Sequence, residues 1–384
     1  MKLHRPAHVR FEYREGPDER LRALLSAEAS GPAGKWVATA AHLDDEVDVS
    51  VADLAIYAAI PEHGIDARSM PGDRAAIARL VECGLILSDG LASAGHCARD
   101  AQLRDAGWWG PAALAQRLSR WDGVDIAAMD AEAGKQGIAR LLAEQGQPPT
   151  ESFRVRGAAE PVSLSRPAAG ALDALLAART TCRNFDASGV PIEHLSALLH
   201  RVFGAQGSQE LAPGAVMLKK NSPSGGGLHP VEAFVLAQRV DGLAPGLYHY
   251  QCVDHALEPM QPLREADAST LAHELVAGQP WFANAPVLVL MAARFDRTFW
   301  KYPNHAKAWK VVQLDAGHLS QNFYLGATDL GYGAFVTAAI NDACAERAFG
   351  LDGVRSGAIA VCGFGRRAAQ GANVELDPLG KAVR

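Results

Sequence analysis

None of the six cysteines, Cys83, Cys97, Cys182, Cys252, Cys344 and Cys362, stands in a CxxC spacing with another. Disulfide frameworks and zinc ribbons need such clustering, so the thiols are expected to be reduced and mostly buried. No HExxH occurs, and the one HxxxH, His4 to His8, spans Pro6 near a terminus, so no metal site is expected among the 13 histidines. Long basic runs are also missing: 37 Lys+Arg stand against 43 Asp+Glu, a formal net charge of -6. That leaves no electrostatic footprint for nucleic acid. Polar and charged residues follow the opening Met1–Pro6, and no apolar run is long enough to cross a bilayer, so neither a secretory signal nor a membrane partner is expected. The expected compartment is the cytoplasm. No GxGxxG follows a strand-like run, which argues against a dinucleotide site of the Rossmann kind.

What is present is an ordinary globular composition, 48% hydrophobic and 21% charged over 384 residues, long enough for two or three domains. Pro, Gly and Ala gather between Gly146 and Gly170, which predicts an N-terminal domain over 1–145, a linker over 146–170 and a second domain over 171–384. In the first domain, 50–60 and 73–83 carry helical apolar spacing; Ile77, Leu80 and Val81 share a face, and Gly84 stops the helix before Leu85-Ile86-Leu87. Helix, stop and short strand fit a small winged-helix module or any small helical domain. In the second, Pro191 opens a helix with Ile192, Leu195, Leu199 and Val202 on one face. Strands are expected at Val231–Ala237, Gly246–Tyr250, Ala256–Met260, Pro286–Ala293 and Gly357–Cys362. A long helix over 309–330 follows from Val312, Ala316, Leu319, Phe323, Ala327 and Leu330. The expected class is α+β with a central, mainly antiparallel sheet flanked by helices.

Three polar clusters carry chemistry. Arg179-Thr180-Thr181-Cys182-Arg183 places two guanidiniums four residues apart with hydroxyls between them, able to grip a phosphate or to form a solvated charged turn. Arg366 and Arg367 follow a Gly-Phe-Gly turn as a second cationic site. Asn221-Ser222-Pro223-Ser224-Gly225-Gly226-Gly227 lacks Cβ atoms over three positions, so its backbone can lie flat against a ring while its polar neighbours bond the ring's edge. Phosphate at one end and a planar heterocycle at the other describe FMN.

RTTCRNF, KKNSPSGGGLHP, GLYHY, FWKY, LDAGHLSQNFYLGATDLGYG and CGFGRR occur in this order between about Ala171 and Ala368. In this the chain resembles SagB-type dehydrogenases, a branch of the nitroreductase superfamily, and its N-terminal half resembles the region that precedes such domains in peptide-maturation dehydrogenases. The resemblance implies a nitroreductase-like FMN-binding fold and a homodimer with FMN at the subunit interface. It also implies a ribosomally made precursor peptide as substrate, with modification enzymes as further partners. Carried over by position, Arg179, Thr180, Thr181 and Arg183 hold the phosphate and ribityl chain, Pro223, Ser224, Gly225 and Gly226 line the flavin, and Arg366 or Arg367 closes the phosphate site. Gln321, with Asn322, falls on the family's helix motif, as a cofactor contact or as a polar pair inside a helix bundle. Ala338 lies in the loop that approaches the flavin, where relatives often have glycine.

Lys301 and Tyr302 match the Lys-Tyr pair of azoline-oxidising members. Taking a proton from carbon while hydride leaves needs a base active near neutral pH, and a phenol beside an ammonium gives up its proton more readily. Alternatively, adjacent side chains diverge and Lys301 is merely solvated. His229 stands where many relatives have tyrosine, as an acid–base group or a strand cap; Cys182 reads as a small buried hydrophobe, and His318 as a core histidine or a flavin-edge contact. Two other directions stay open: a reductase of dehydroamino acids or other electrophiles fed by a nicotinamide donor, and a peptide-binding subunit without catalysis. A generic small-molecule nitroreductase would not need 170 residues of N-terminal extension.

Overall fold

The computed structural model describes residues 1–15, 34–133, 137–150, 152 and 162–383. Two compact units form, each assembled from separated stretches: Met1–Arg120, Ala293–Leu314 and Leu351–Gly357 make the first, and Trp121–Ala292, Asp315–Gly350 and Ala358–Arg384 the second. Compactness thus divides the chain after Arg120 and not at the Pro/Gly-rich stretch, because later segments return to complete the first unit. Of the stretch read as a linker, residues 151 and 153–161 lie outside the described residues.

In the first unit, β1 (Lys2–His4) pairs antiparallel with β5 (Ile65–Asp66) and β6 (Leu87–Ser88), while β2 (Val9–Arg14), β3 (Lys35–Ala40) and β4 (Val47–Val49) make a second antiparallel sheet. Helices accompany them, so this region is helical only in part; four of its six strands, of two or three residues, were too short to announce themselves in sequence. Helix α1 (Val51–Ala58) starts where Ser50 and Asp53 cap one another reciprocally, and α2 (Arg74–Glu82) where the Asp73 carboxylate accepts from Ala75 N and Ala76 N. The face predicted for α2 is the buried one: Ile77, Leu80 and Val81 pack with Leu3, Ile56, Ile60, Leu85 and Ile86. Gly84 leaves that helix at φ +77°, which only glycine adopts without strain. Farther on, between α3 (Ala94–Asp105) and α4 (Gly110–Ser119), the Trp108 ring meets Phe295 at 4.9 Å and Phe299 at 4.7 Å, and its indole N–H donates to Val354 O at 2.8 Å. This anchors the helix Phe295–Lys301 within the first unit.

The second unit is built on a six-stranded sheet. Its strands are β9 (Val231–Ala237), β10 (Gly246–Gln251), β11 (Ala256–Pro262), β12 (Val287–Arg294), β13 (Gly333–Thr337) and β14 (Ser356–Gly365), in the spatial order β11-β10-β9-β12-β14-β13. The β9–β10, β10–β11 and β13–β14 ladders are antiparallel, as the sequence suggested. Strand β12, an unbroken apolar run, is buried along all but Arg294 and sits inside the sheet, where both faces are covered. An exposed hairpin, β7 (Gly207–Ala212) and β8 (Ala215–Lys219), precedes the sheet.

Around it lie α5 (Ala171–Ala178), α6 (Ile192–Phe203), α7 (Glu265–Leu275), α8 (Ala308–Asp329) and α9 (Asp342–Phe349). Pro191 caps α6 one position before the helix proper, and Leu195, Leu199 and Val202 are buried. Helix α8 is the long helix read from sequence, with Val312, Ala316, Leu319, Phe323 and Ala327 buried along one stripe. At the β13–β14 edge, a Cβ on Gly363 would lie 2.2 Å from the Phe335 ring, which stacks on Phe282 at 4.1 Å. Only glycine fits there.

On the sheet, His249 of β10 lies between Glu232 of β9 and Glu258 of β11, its Nδ1 2.8 Å from Glu258 Oε2 and its Nε2 3.8 Å from Glu232 Oε2. Glu232 first, and Glu258 with it, hold the imidazolium above its ordinary value of 6.5. A raised folded-state value means that the group's contribution to stability is complete below 6.5 and is lost as pH rises through the folded value. Thermal unfolding followed from pH 6 to 8 should show this loss in the wild type and not in His249→Gln; parallel profiles would remove His249 as its source.

Candidate cofactor site

The glycine segment is shaped from behind by the long helix. Ser224 Oγ donates to Asp315 Oδ2 at 2.5 Å, Gly225 N donates to Asp315 Oδ1 at 3.1 Å, and His229 N donates to Ser224 Oγ at 2.8 Å. Two turns along α8, Asn322 Nδ2 donates to Ser222 Oγ at 2.8 Å. Between these ties Gly226, Gly227 and His229 take φ of +68°, +70° and +47°. Glycine adopts such values freely; for histidine the conformation costs about 1–3 kcal/mol, which the surrounding bonds must offset. Asp315 itself is 3% exposed, and burial raises its carboxyl above the ordinary 3.8, an effect that Ser224 and Gly225 partly counter by donating to it. Pro223 and Gly226 are exposed, and Ser224 and Gly225 half-buried.

The arginine segment begins where α5 ends. Arg179 is the C-cap of α5, and its guanidinium lies 5.3 Å from the centre of the Tyr324 ring. Arg183 lies 5.8 Å from that of Phe282. Neither guanidinium makes an ion pair with a carboxylate among the described residues. Between them, Thr181 bridges to Ala334 of β13, its Oγ1 3.0 Å from Tyr324 OH, and that phenol oxygen accepts from Val336 N at 3.1 Å. Cys182 is fully buried, its Sγ donating to Asn184 O at 3.4 Å, and burial raises its thiol, as expected of a small hydrophobe and not of a nucleophile.

The two tail arginines differ. Arg366 is exposed and makes no side-chain hydrogen bond or ion pair to the described residues. Arg367 is enclosed: its guanidinium donates to Thr180 Oγ1 at 2.9 Å and to Val383 O at 2.9 Å, and abuts the Glu375 carboxylate. The same carboxylate accepts from Arg183 N at 2.5 Å and Asn184 Nδ2 at 2.9 Å. An anion therefore already sits between Arg367 and the backbone of the arginine segment, and Arg367's charge is matched inside the protein.

Elsewhere in the second unit, Gln321 is exposed on α8 and not packed in a bundle, Ala338 lies exposed in the bend after β13, and His318 is exposed and not a core residue. Lys301 and Tyr302 belong to the first unit. They end a helix, with Lys301 in its last turn and Tyr302 as its cap. Their side chains do not diverge: Lys301 Nζ lies 5.6 Å from the centre of the Tyr302 ring.

Asp315, Tyr324 and Glu375 were missed by sequence reasoning. Asp315 had a readable signal, a carboxylate placed among Val312, Ala316 and Leu319 on the apolar stripe of a helix. Glu375 had none, since it lies in a stretch without periodicity.

Residues 176–366 match the Nitroreductase family. A nitroreductase-like protein of Methanocaldococcus jannaschii is 29% identical over 174 residues, 44% of this chain and 80% of that protein. The trifolitoxin-processing protein TfxB of Rhizobium leguminosarum bv. trifolii is 28% identical over 138 residues, 35% of this chain and 36% of the relative. The microcin B17-processing protein McbC of Escherichia coli is 27% identical over 145 residues, 36% of this chain and 51% of the relative. The chain thus spans about a third to a half of the two processing proteins. Among solved structures, the Escherichia coli microcin synthetase McbBCD complex with truncated pro-MccB17 bound aligns with 65% of this chain and 90% of its own, at 20% identity and a TM-score of 0.49.

With its side chain 7% exposed, Arg367 cannot return to water when its partner is removed. Glu375→Ala should lower the unfolding free energy by about 3–5 kcal/mol in denaturant titration, the cost of leaving a buried charge unpaired. A loss below about 1 kcal/mol would mean that the pair is solvated.

Proposed function

We propose that this chain, whose residues 176–366 match the Nitroreductase family, binds FMN and oxidises a ribosomally synthesised peptide as a SagB-type dehydrogenase. The reaction would be a two-electron oxidation, azoline to azole or similar. What carries the reading is the pair Arg179 and Arg183, two guanidiniums on one short segment, each laid on an aromatic ring and neither matched by a carboxylate among the described residues. Such a pair suits a doubly charged phosphate. The glycine turn fits the planar ring for a separate reason: Pro223, Ser224, Gly225 and Gly226 present backbone and few side-chain atoms, and that backbone is held by Asp315.

In this reading Arg179, Arg183 and Thr180 take the phosphate, with Thr181 at the ribityl chain, and the exposed Arg366 serves it better than Arg367, whose charge Glu375 already meets. Gln321 and the backbone at Ala338 face the ring. Bound FMN would supply the acceptor for a hydride, which carries both electrons of the oxidation. The carbon that loses hydride must also lose a proton, and Tyr302, with the Lys301 ammonium against its ring, takes it. The chain works as a homodimer in the cytoplasm, residues 1–145 hold the peptide, and the enzymes that install its modifications are partners. Similarity to the trifolitoxin- and microcin B17-processing proteins supports the choice of a peptide over a small nitroaromatic. Among the described residues no helix is long and apolar enough to cross a membrane.

Purified protein should be yellow or take up added FMN, and Arg179→Ala and Arg183→Ala should each weaken FMN binding about 10- to 100-fold in fluorescence titration, the worth of a charge-assisted hydrogen bond. Wild-type affinity in both variants would sink the phosphate assignment. Tyr302→Phe should keep FMN and lose about 100-fold or more of peptide oxidation; full turnover would remove Tyr302 from the chemistry.

A further inference from the structure

In the first unit, the helix Phe295–Lys301 and the opening turns of α8 are built alike. Their inner faces meet in one aromatic core, where Trp309 lies 5.5 Å from Phe295 and 5.6 Å from Trp108. Their outer faces carry cations beside one large apolar side chain. On the first, Arg294, Arg297 and Lys301 recur at three and four positions, and Trp300 among them is 73% exposed. On the second, Lys307, Lys310 and Leu314 recur in the same way, and Leu314 is 53% exposed. Arg294, Lys301, Lys307 and Lys310 are exposed and Arg297 is half-buried. Lys307 and Lys310 make no side-chain hydrogen bond or ion pair with the described residues. Between positions 294 and 314 five Lys and Arg stand against a single carboxylate, Asp296, in a chain whose net charge is -6. The turn packed on the start of the helix, where Phe295 N donates to Arg355 O, adds Arg355 and Asp352, and three backbone amides already donate to Asp352 Oδ1.

We propose that the surface made by Arg294, Arg297, Trp300, Lys301, Lys307 and Lys310 docks an acidic segment of the peptide substrate. The inference rests on the peptide reading for the identity of the partner and on the charge pattern for its chemistry. Solvation accounts for the cations but not for Trp300, a large ring left in water among them. Trp and Arg are the side chains that anchor interfaces, and a cluster of one sign raises the local concentration of a partner of the other. The rigid aromatic core beneath holds the stripe in place, so little order has to be created on binding. One tryptophan and one leucine make too small an apolar face to insert into a bilayer, which favours a peptide over a membrane. Tyr302 directly follows Lys301, so a peptide held along the stripe lies beside the pair read as the base.

The sign of the charge gives the test. A chain of net charge -6 without such a surface should prefer a basic peptide to an acidic one. Fluorescence anisotropy on the full chain would use a short synthetic peptide rich in Glu and Leu, and its counterpart with Lys at every Glu. The acidic peptide should bind about tenfold tighter or more, and lose that preference at about 1 M salt, where the Debye length falls to about 3 Å. Lys307→Glu with Lys310→Glu should abolish the preference, and Trp300→Ser should weaken the acidic peptide about tenfold, a typical loss for an interface anchor. Thermal unfolding close to wild type would show that the exposed substitutions leave the fold intact. Equal binding of the two peptides, or an unchanged preference in the charge-reversed variant, would overturn the surface. So would binding to phosphatidylserine vesicles with no affinity for the acidic peptide. None of these measurements needs flavin or turnover: loss of peptide oxidation with the preference intact would sink the dehydrogenase reading and leave the docking surface standing.

Discussion

A carboxylate taken out of water has to be met by donors, and the second unit answers that demand at Asp315 with groups that are also needed elsewhere. The hydroxyl of Ser224 and the amide of Gly225 turn toward it, and in turning they set the path of the chain through Gly226 and Gly227. The glycines allow the shape, but they do not choose it. An unanchored triple glycine would sample many conformations, at the entropic cost that glycine always carries. Here one side chain from a rigid helix selects among them.

The same helix serves the arginine segment by a different route. Tyr324 places its ring beneath Arg179 and its hydroxyl between Thr181 and the amide of Val336, so a single residue links helix, segment and sheet. Asp315, Asn322 and Tyr324 lie seven and two residues apart and lead to both halves of the candidate site. Rigidity passes from the helix outward, which is the order a preorganised binding site requires. The Phe282–Phe335 stack, possible only because Gly363 has no side chain, adds an apolar floor against which Arg183 rests.

Much of this was legible where the signal is local. Strand Val231–Ala237 was bounded as read because buried and half-exposed residues alternate over its first five positions before it runs fully buried, and the 22-residue α8 declared itself through a stripe recurring every three and four positions. The arginines and glycines stood out by composition. What could not be read depended on distant partners. Arg366 and Arg367 are identical in sequence terms, and only the fold gives one of them a carboxylate. The β7–β8 hairpin escaped because its first strand is exposed throughout, Leu211 being 65% exposed, so it carries no alternation to detect. Four of the six strands in the N-terminal sheets are two or three residues long, shorter than a periodic pattern needs.

The bond from Arg183 N to Glu375 joins positions 192 residues apart. Contacts of that span form late, since the loop between them must first be ordered. During synthesis from the N-terminus the arginine segment emerges long before the tail that matches Arg367 exists. For that interval the Arg183 amide and the Asn184 side chain lack the carboxylate that later accepts from both, so the path of the arginine segment is completed only when the tail arrives.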